Sequence, residues 1–307
     1  MGLLNAFVTL AGQLARGVGQ VMFQSSTLSG LIMLCGILCG AMSWGGDGRA
    51  IVFLGAVAGL VVSSAIAFLK HERGSDDGLY GFNGVLVGCA AFTFLDAGAW
   101  AWVLLLAASV LTIPLKNLLD RLLGVSSFTF PFVIASWLML AVGLRTGICT
   151  PYLPEVVPEP NPAVVVSVLV GLLKGVSEVF LIDSWLTGLI FLAALYVASP
   201  KAALLALVGS ASGMVLAFLC ACPSEQILGG LWGFSPALTA IAVGSVIPIR
   251  GRRTLWIAAS LVLTFIVQYT FTPLFAYFGL PILTFPFCVA ACLSAFVSQR
   301  VQTLRAY

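Results

Sequence analysis

Three short motifs occur twice, in the same order and at nearly the same distance. Gly17-Val18-Gly19-Gln20-Val21 returns as Gly175-Val176-Ser177-Glu178-Val179, and Gly78-Leu79-Tyr80-Gly81-Phe82 as Gly230-Leu231-Trp232-Gly233-Phe234. Thr129-Phe130-Pro131-Phe132 returns as Thr284-Phe285-Pro286-Phe287, so the spacings are 158, 152 and 155 residues. A chain that repeats itself this way is a duplicated unit. In a membrane protein, duplication places the working site where the halves meet.

Composition identifies the solvent. Hydrophobic residues make up 61% of the chain, charged residues 8%, and the mean hydropathy is +1.12. Such a chain cannot cover itself with polar side chains, so it reads as an integral membrane protein. The apolar stretches are long and unbroken rather than alternating, which excludes a β-barrel. The 32 glycines fit helices whose backbones approach closely in lipid. The first segment has no signal-peptide pattern and reads as retained. The net charge of +3 is too small and scattered for a nucleic-acid binder. Cys35 and Cys39, like Cys288 and Cys292, lie in apolar segments without a nearby histidine, which is ordinary packing rather than a zinc site.

Apolar segments near 5–23, 27–43, 49–70, 98–120 and 128–144 are repeated near 163–182, 185–198, 201–222, 254–272 and 284–298. A briefer segment, 82–95 or 234–247, lies between the third and fourth of each set. It opens through glycine at Asn83 or Ser235-Pro236, which read as helix caps and predict a re-entrant pore helix. The predicted fold is all-α, with two inverted repeats of about five transmembrane helices plus one re-entrant helix each. The first repeat spans 1–150, a proline-rich linker 151–162, and the second repeat 163–307. With the N-terminus inside, Arg49, Lys116, Arg121, Arg250, Arg252, Arg253, Arg300 and Arg305 fall on the cytoplasmic side, and Lys70, Arg73, Arg145 and Lys201 outside. That bias puts both termini in the cytoplasm.

Catalysis has little support. The one histidine, His71, sits in a polar loop, and neither a base–nucleophile pair nor a ligand set is present. No enzyme activity, metal or cofactor is expected. Ion-coupled transport normally shows several intramembrane charges. Here Glu178 is the clearest, and two readings stay open for it: an ion pair with Lys174 at four-residue spacing, or an oxygen acceptor matched by Gln20. In each half a lone threonine, Thr129 or Thr284, opens an apolar segment two residues before a proline. Each hydroxyl could bond its own backbone, or the two could meet at the pseudo-twofold axis. Phe82 and Phe234, each before a re-entrant helix, could face each other as a flat slot that admits a planar neutral solute.

These residues resemble the urea transporter family. The resemblance rests on the glutamine and glutamate copies of the first motif, Gly78 to Gly84, Leu231 to Ser235, and Leu280-Pro281-Ile282-Leu283-Thr284-Phe285-Pro286-Phe287, which fits the Leu-Pro-x-x-Thr-x-Pro-Phe pattern. The first copy departs from it, with Val125-Ser126 in place of Leu-Pro. The absence of long added termini resembles the bacterial members and places the chain in a bacterial inner membrane. The resemblance implies a homotrimer among membrane lipids, each subunit with its own pore passing urea down its gradient. It assigns Phe82 and Phe234 to the outer and inner slots, with Leu86 and Leu238 one turn along, and Thr129 and Thr284 to the central constriction. Gln20 and Glu178, with Val21, Val179 and Phe23, form the oxygen-bearing and apolar walls. The broader alternative is a channel of this architecture for short-chain amides, ammonia or water.

Overall fold

The computed structural model describes residues 2–43, 50–153 and 164–304. Arg49, Arg305 and most of the proline-rich linker lie outside these residues. The first half builds α1 (Gly2–Gln20), α2 (Thr27–Ser43), α3 (Ala50–Leu69), α4 (Gly81–Phe94), α5 (Ala99–Leu123) and α6 (Phe130–Arg145). The second builds α7 (Val164–Ser177), α8 (Trp185–Ala198), α9 (Pro200–Leu219), a short α10 (Ser224–Leu228), α11 (Phe234–Ile241), α12 (Arg253–Tyr277) and α13 (Phe285–Leu304). The protein is an all-α membrane protein. Among the described residues four helices, α3, α5, α9 and α12, are long and apolar enough to cross a bilayer by themselves. They occupy matching places in the two halves, and α2, α4, α6 and α11 are shorter apolar helices.

The duplication extends to backbone conformation. Left-handed residues come in matched pairs: Phe23 and Leu181, His71 and Ala221, Gly78 and Gly230, Gly124 and Gly279, Phe128 and Leu283. Three of these pairs need no glycine, so the conformation is held by surrounding structure rather than by local freedom. Phe128 (φ 50°) and Leu283 (φ 49°) match even though Val125-Ser126 replaces Leu280-Pro281 just upstream. The substitution therefore leaves the turn into α6 unchanged.

Glycine explains how the helices come together. A Cβ on Gly88 of α4 would strike the Gly55 carbonyl of α3, and one on Gly84 would strike that of Gly59. Gly213 and Gly209 of α9 stand in the same relation to the Trp232 and Pro236 carbonyls at the start of α11. Backbone contact this close permits dense van der Waals packing in lipid, where apolar bulk alone gives helices no reason to associate. The repeated motif glycines have a second task. Gly78, at φ 79°, lies against the backbone of Gly17, and Gly230, at φ 81°, against that of Gly175. This docks each loop onto the helix that carries Gln20 or Glu178.

Contacts between helix ends correct the sequence-based sidedness. The far end of α4 forms a bridge, Leu95 to Pro151, and Phe92 meets Trp102 near the start of α5 edge-on at 4.7 Å. α5 thus runs parallel to α3, and Glu72 after α3 accepts from Asn117 near the end of α5 at 2.9 Å. Lys70 and Arg73 therefore share an end with Lys116 and Arg121, not the opposite one. Lys201 joins them, because its ammonium and the Arg253 guanidinium donate to the same Gly244 carbonyl at 2.7 and 2.8 Å. That carbonyl is freed where α11 passes into a π-helical turn at 242–246, and cations are favoured at such a helix end. Ser298 of α13 reaches the Pro248 carbonyl at 2.8 Å, bringing Arg300 to this basic end as well. Arg145, whose guanidinium donates to the Phe278 carbonyl, lies at the far end. Because α5 finishes at the basic end and its counterpart α12 begins there, the halves run in opposite directions.

Candidate functional site

Under a twofold relation, a residue touches its own copy only at the axis. Two pairs do so. The Thr129 and Thr284 hydroxyls are 2.7 Å apart, and the Phe130 and Phe285 rings meet edge-on at 6.1 Å. Both threonines are 2% exposed and stand immediately before α6 and α13, with Pro131 and Pro286 as the second helical residues. The Thr129 hydroxyl does not cap α6, which leaves it available across the axis. Thr129 also lies 3.1 Å from the Cys288 thiol, a contact that breaks the symmetry because Val133 occupies the matching place in the first half.

The threonine straps are held reciprocally. Trp137 Nε1 of α6 donates to the Pro281 carbonyl at 2.8 Å, while Cys292 of α13, its copy, contacts the Ser126 carbonyl at 3.4 Å. Each half thus fixes the turn that presents the other half's threonine. Asn83 contributes in a way its position does not announce. It does not cap α4, which begins at Gly81; its side-chain oxygen accepts from the Phe132 amide at 3.1 Å and so secures the start of α6.

Gln20, Phe23 and Phe82 line one cavity of about 430 Å³ at the basic end. Gln20 Nε2 donates to the Asp77 carbonyl at 3.1 Å, orienting the amide. Phe23, Phe128 and Phe287 form a three-ring cluster with centroid separations of 5.6–6.0 Å. Sequence reasoning missed Phe128, although it stands directly before a repeated threonine, and it missed Gln299 and Gln302 of α13, which also line the cavity and which no repeat marks.

Glu178 and Val179 lie in a 3-10 turn at 178–180 where the chain bends by 74° between α7 and α8. Leu181 accepts from Thr93 near the C-terminus of α4, so this turn sits toward the far end. Lys174 forms an ion pair with Asp183 at 2.8 Å, a partner that the four-residue spacing does not name. Phe234 opens α11 at that end too. Phe82 and Phe234 therefore do not face each other, because inversion of the halves sends matched residues toward opposite ends. The rings that line the cavity with Phe82 are Phe23 and Phe128, both from its own half; the residue matched to Phe23 is Leu181. Leu86, Leu238, Val21 and Val179 are each at most 1% exposed and pack in the core behind these positions.

The arrangement places an amide and rings at one mouth, paired hydroxyls on the axis, and a carboxyl-bearing turn toward the other mouth. The family model described as urea transporter matches residues 12–299. Urea transporter 1 of Ovis aries is 31% identical over 296 residues, covering 91% of this chain and 74% of the sheep protein. Urea transporter 1 of Rattus norvegicus is 31% identical, and that of Mus musculus 30%, with the same coverage. On the match to the family model and on these identities, the chain belongs to the urea transporter family.

Proposed function

We infer that this protein conducts urea passively, down its gradient, along the pseudo-twofold axis between its two halves. The observation that carries the reading is the hydrogen bond between Thr129 and Thr284, a buried polar pair in apolar surroundings where the halves meet. Urea is flat, with four N–H donors and one acceptor, and a dehydrated molecule needs such oxygens to replace its water. The Phe23 and Phe82 rings offer apolar walls that a planar neutral solute tolerates. A hydrated ion does not, since rings cannot replace its shell. Family membership disfavours the broader reading of a channel for short amides, ammonia or water.

The remaining roles are proposals of the same kind. Gln20 and Glu178 would hold urea at the two mouths, with Val21, Val179, Leu86 and Leu238 as the apolar support behind Phe82 and Phe234. With nearly all the described cations at one end, the positive-inside rule makes that end cytoplasmic and the Gln20 mouth the inner one. This reverses the outer and inner slots read from the sequence. The homotrimer with one pore per subunit and the bacterial inner membrane rest on the sequence resemblance.

The test is uptake into proteoliposomes. Internal urea should rise to the external concentration and stop, unchanged by imposed sodium or proton gradients. Accumulation above the external concentration under either gradient would overturn the passive reading.

A further inference from the structure

We propose that the groove between the C-terminal turns of α5 and α13 holds the phosphate of an anionic phospholipid. This groove encloses about 420 Å³ and is separate from the conduction path, touching the vestibule only through Gly124 and Gln299. Arg121 and Arg300 both line it. The neighbouring Asp120 is already engaged, by Lys116 at 2.5 Å and by the Ser127 amide at 2.7 Å. Arg300 is held 5.1 Å above the Phe296 ring, which positions its guanidinium without neutralising it. Two arginines lining one groove suit a phosphate, whose oxygens accept paired N–H donors.

The walls point to a lipid rather than a free ion. Leu122 is 70% exposed and Phe296 41% exposed, so apolar surface flanks the arginines on the membrane side. A phosphate there can carry acyl chains along these side chains, at the depth where basic pockets between helices meet headgroups. A second copy of this chain fits less well. Three of the described acids at this end are engaged within the chain, Glu72 with Asn117 and Tyr80, Asp76 with Gln13, and Asp120 with Lys116, which leaves fewer of them to pair with these arginines from a second copy.

The experiment uses the full chain, delipidated in detergent and offered equal amounts of phosphatidylglycerol and phosphatidylcholine, with retention read by native mass spectrometry. Wild type should retain phosphatidylglycerol preferentially. The double variant Arg121→Gln, Arg300→Gln should lose that retention by roughly tenfold or more, the loss expected for two arginines near an anionic surface. Its phosphatidylcholine retention should stay the same. Leu122→Gln keeps both charges and should weaken retention of both lipids. If the double variant does not fold, Arg121→Lys and Arg300→Lys, which keep charge but lose the fork, should each lower preference for phosphatidylglycerol. Undiminished preference in the arginine variants overturns the site. Displacement of the lipid by an equal concentration of inorganic phosphate overturns the lipid assignment.

Discussion

Thr129 and Thr284 stand 155 residues apart in the chain and share a hydrogen bond of 2.7 Å between their hydroxyls. Each sits where a helix starts inside the protein, and each strap is pinned by a side chain from the opposite half. A solute on the axis must exchange its own hydrogen bonds for the one between these oxygens.

Replacing either threonine by valine keeps the shape and removes that exchange. A buried polar group left unpaired costs about 1–3 kcal/mol. Flux per correctly assembled protein should then fall roughly five- to hundredfold if passage past the pair limits the rate. Thr→Ser at the same positions should retain most of the flux, because it keeps the hydroxyl. Wild-type flux in the double valine variant would remove the pair from the path.

Sidedness is open to direct measurement. Arg73 follows α3 and Thr146 follows α6, both exposed and at opposite ends of the molecule. In a cysteine-free background, Arg73→Cys should react with an impermeant maleimide only from the cytoplasmic side, and Thr146→Cys only from outside. Labelling of both from one side contradicts the helix directions deduced from the contacts between helix ends.

Packing makes a further prediction. Gly88→Ala places a methyl against the Gly55 carbonyl, and Gly213→Ala places one against that of Trp232. Each should destabilise by about 1–3 kcal/mol, the usual cost of overpacking, and lower the melting temperature in detergent. Gly98→Ala meets no atom within 4 Å and should leave it unchanged. Equal melting temperatures for all three would mean that α3 and α4 do not pack by backbone contact.

Class and duplication are legible in the amino-acid order alone. Composition leaves no solvent but a bilayer, and the motif glycines that dock the loops, Gly17 and Gly78 with their copies Gly175 and Gly230, keep their identity in both halves because a Cβ there would collide. The repeated threonine before Phe-x-Phe with a central proline marked the axis for the same reason: a helix start on the axis must meet its own copy. What the sequence could not supply was direction. Whether matched residues face each other or part depends on how far each lies from the pseudo-twofold axis. That is settled by through-space contacts such as Glu72 with Asn117 and Lys201 with Gly244. Those contacts moved Lys70, Arg73 and Lys201 to the basic end and set Phe82 and Phe234 apart. They also paired Lys174 with Asp183 and turned Asn83 from a presumed cap into the support of α6. Gln299 and Gln302 reach the vestibule only because α13 folds back over it. Local chemistry fixes which residues recur; only the packed chain decides which distant residues share a mouth, because proximity between segments is set by the whole bundle rather than by any one of them.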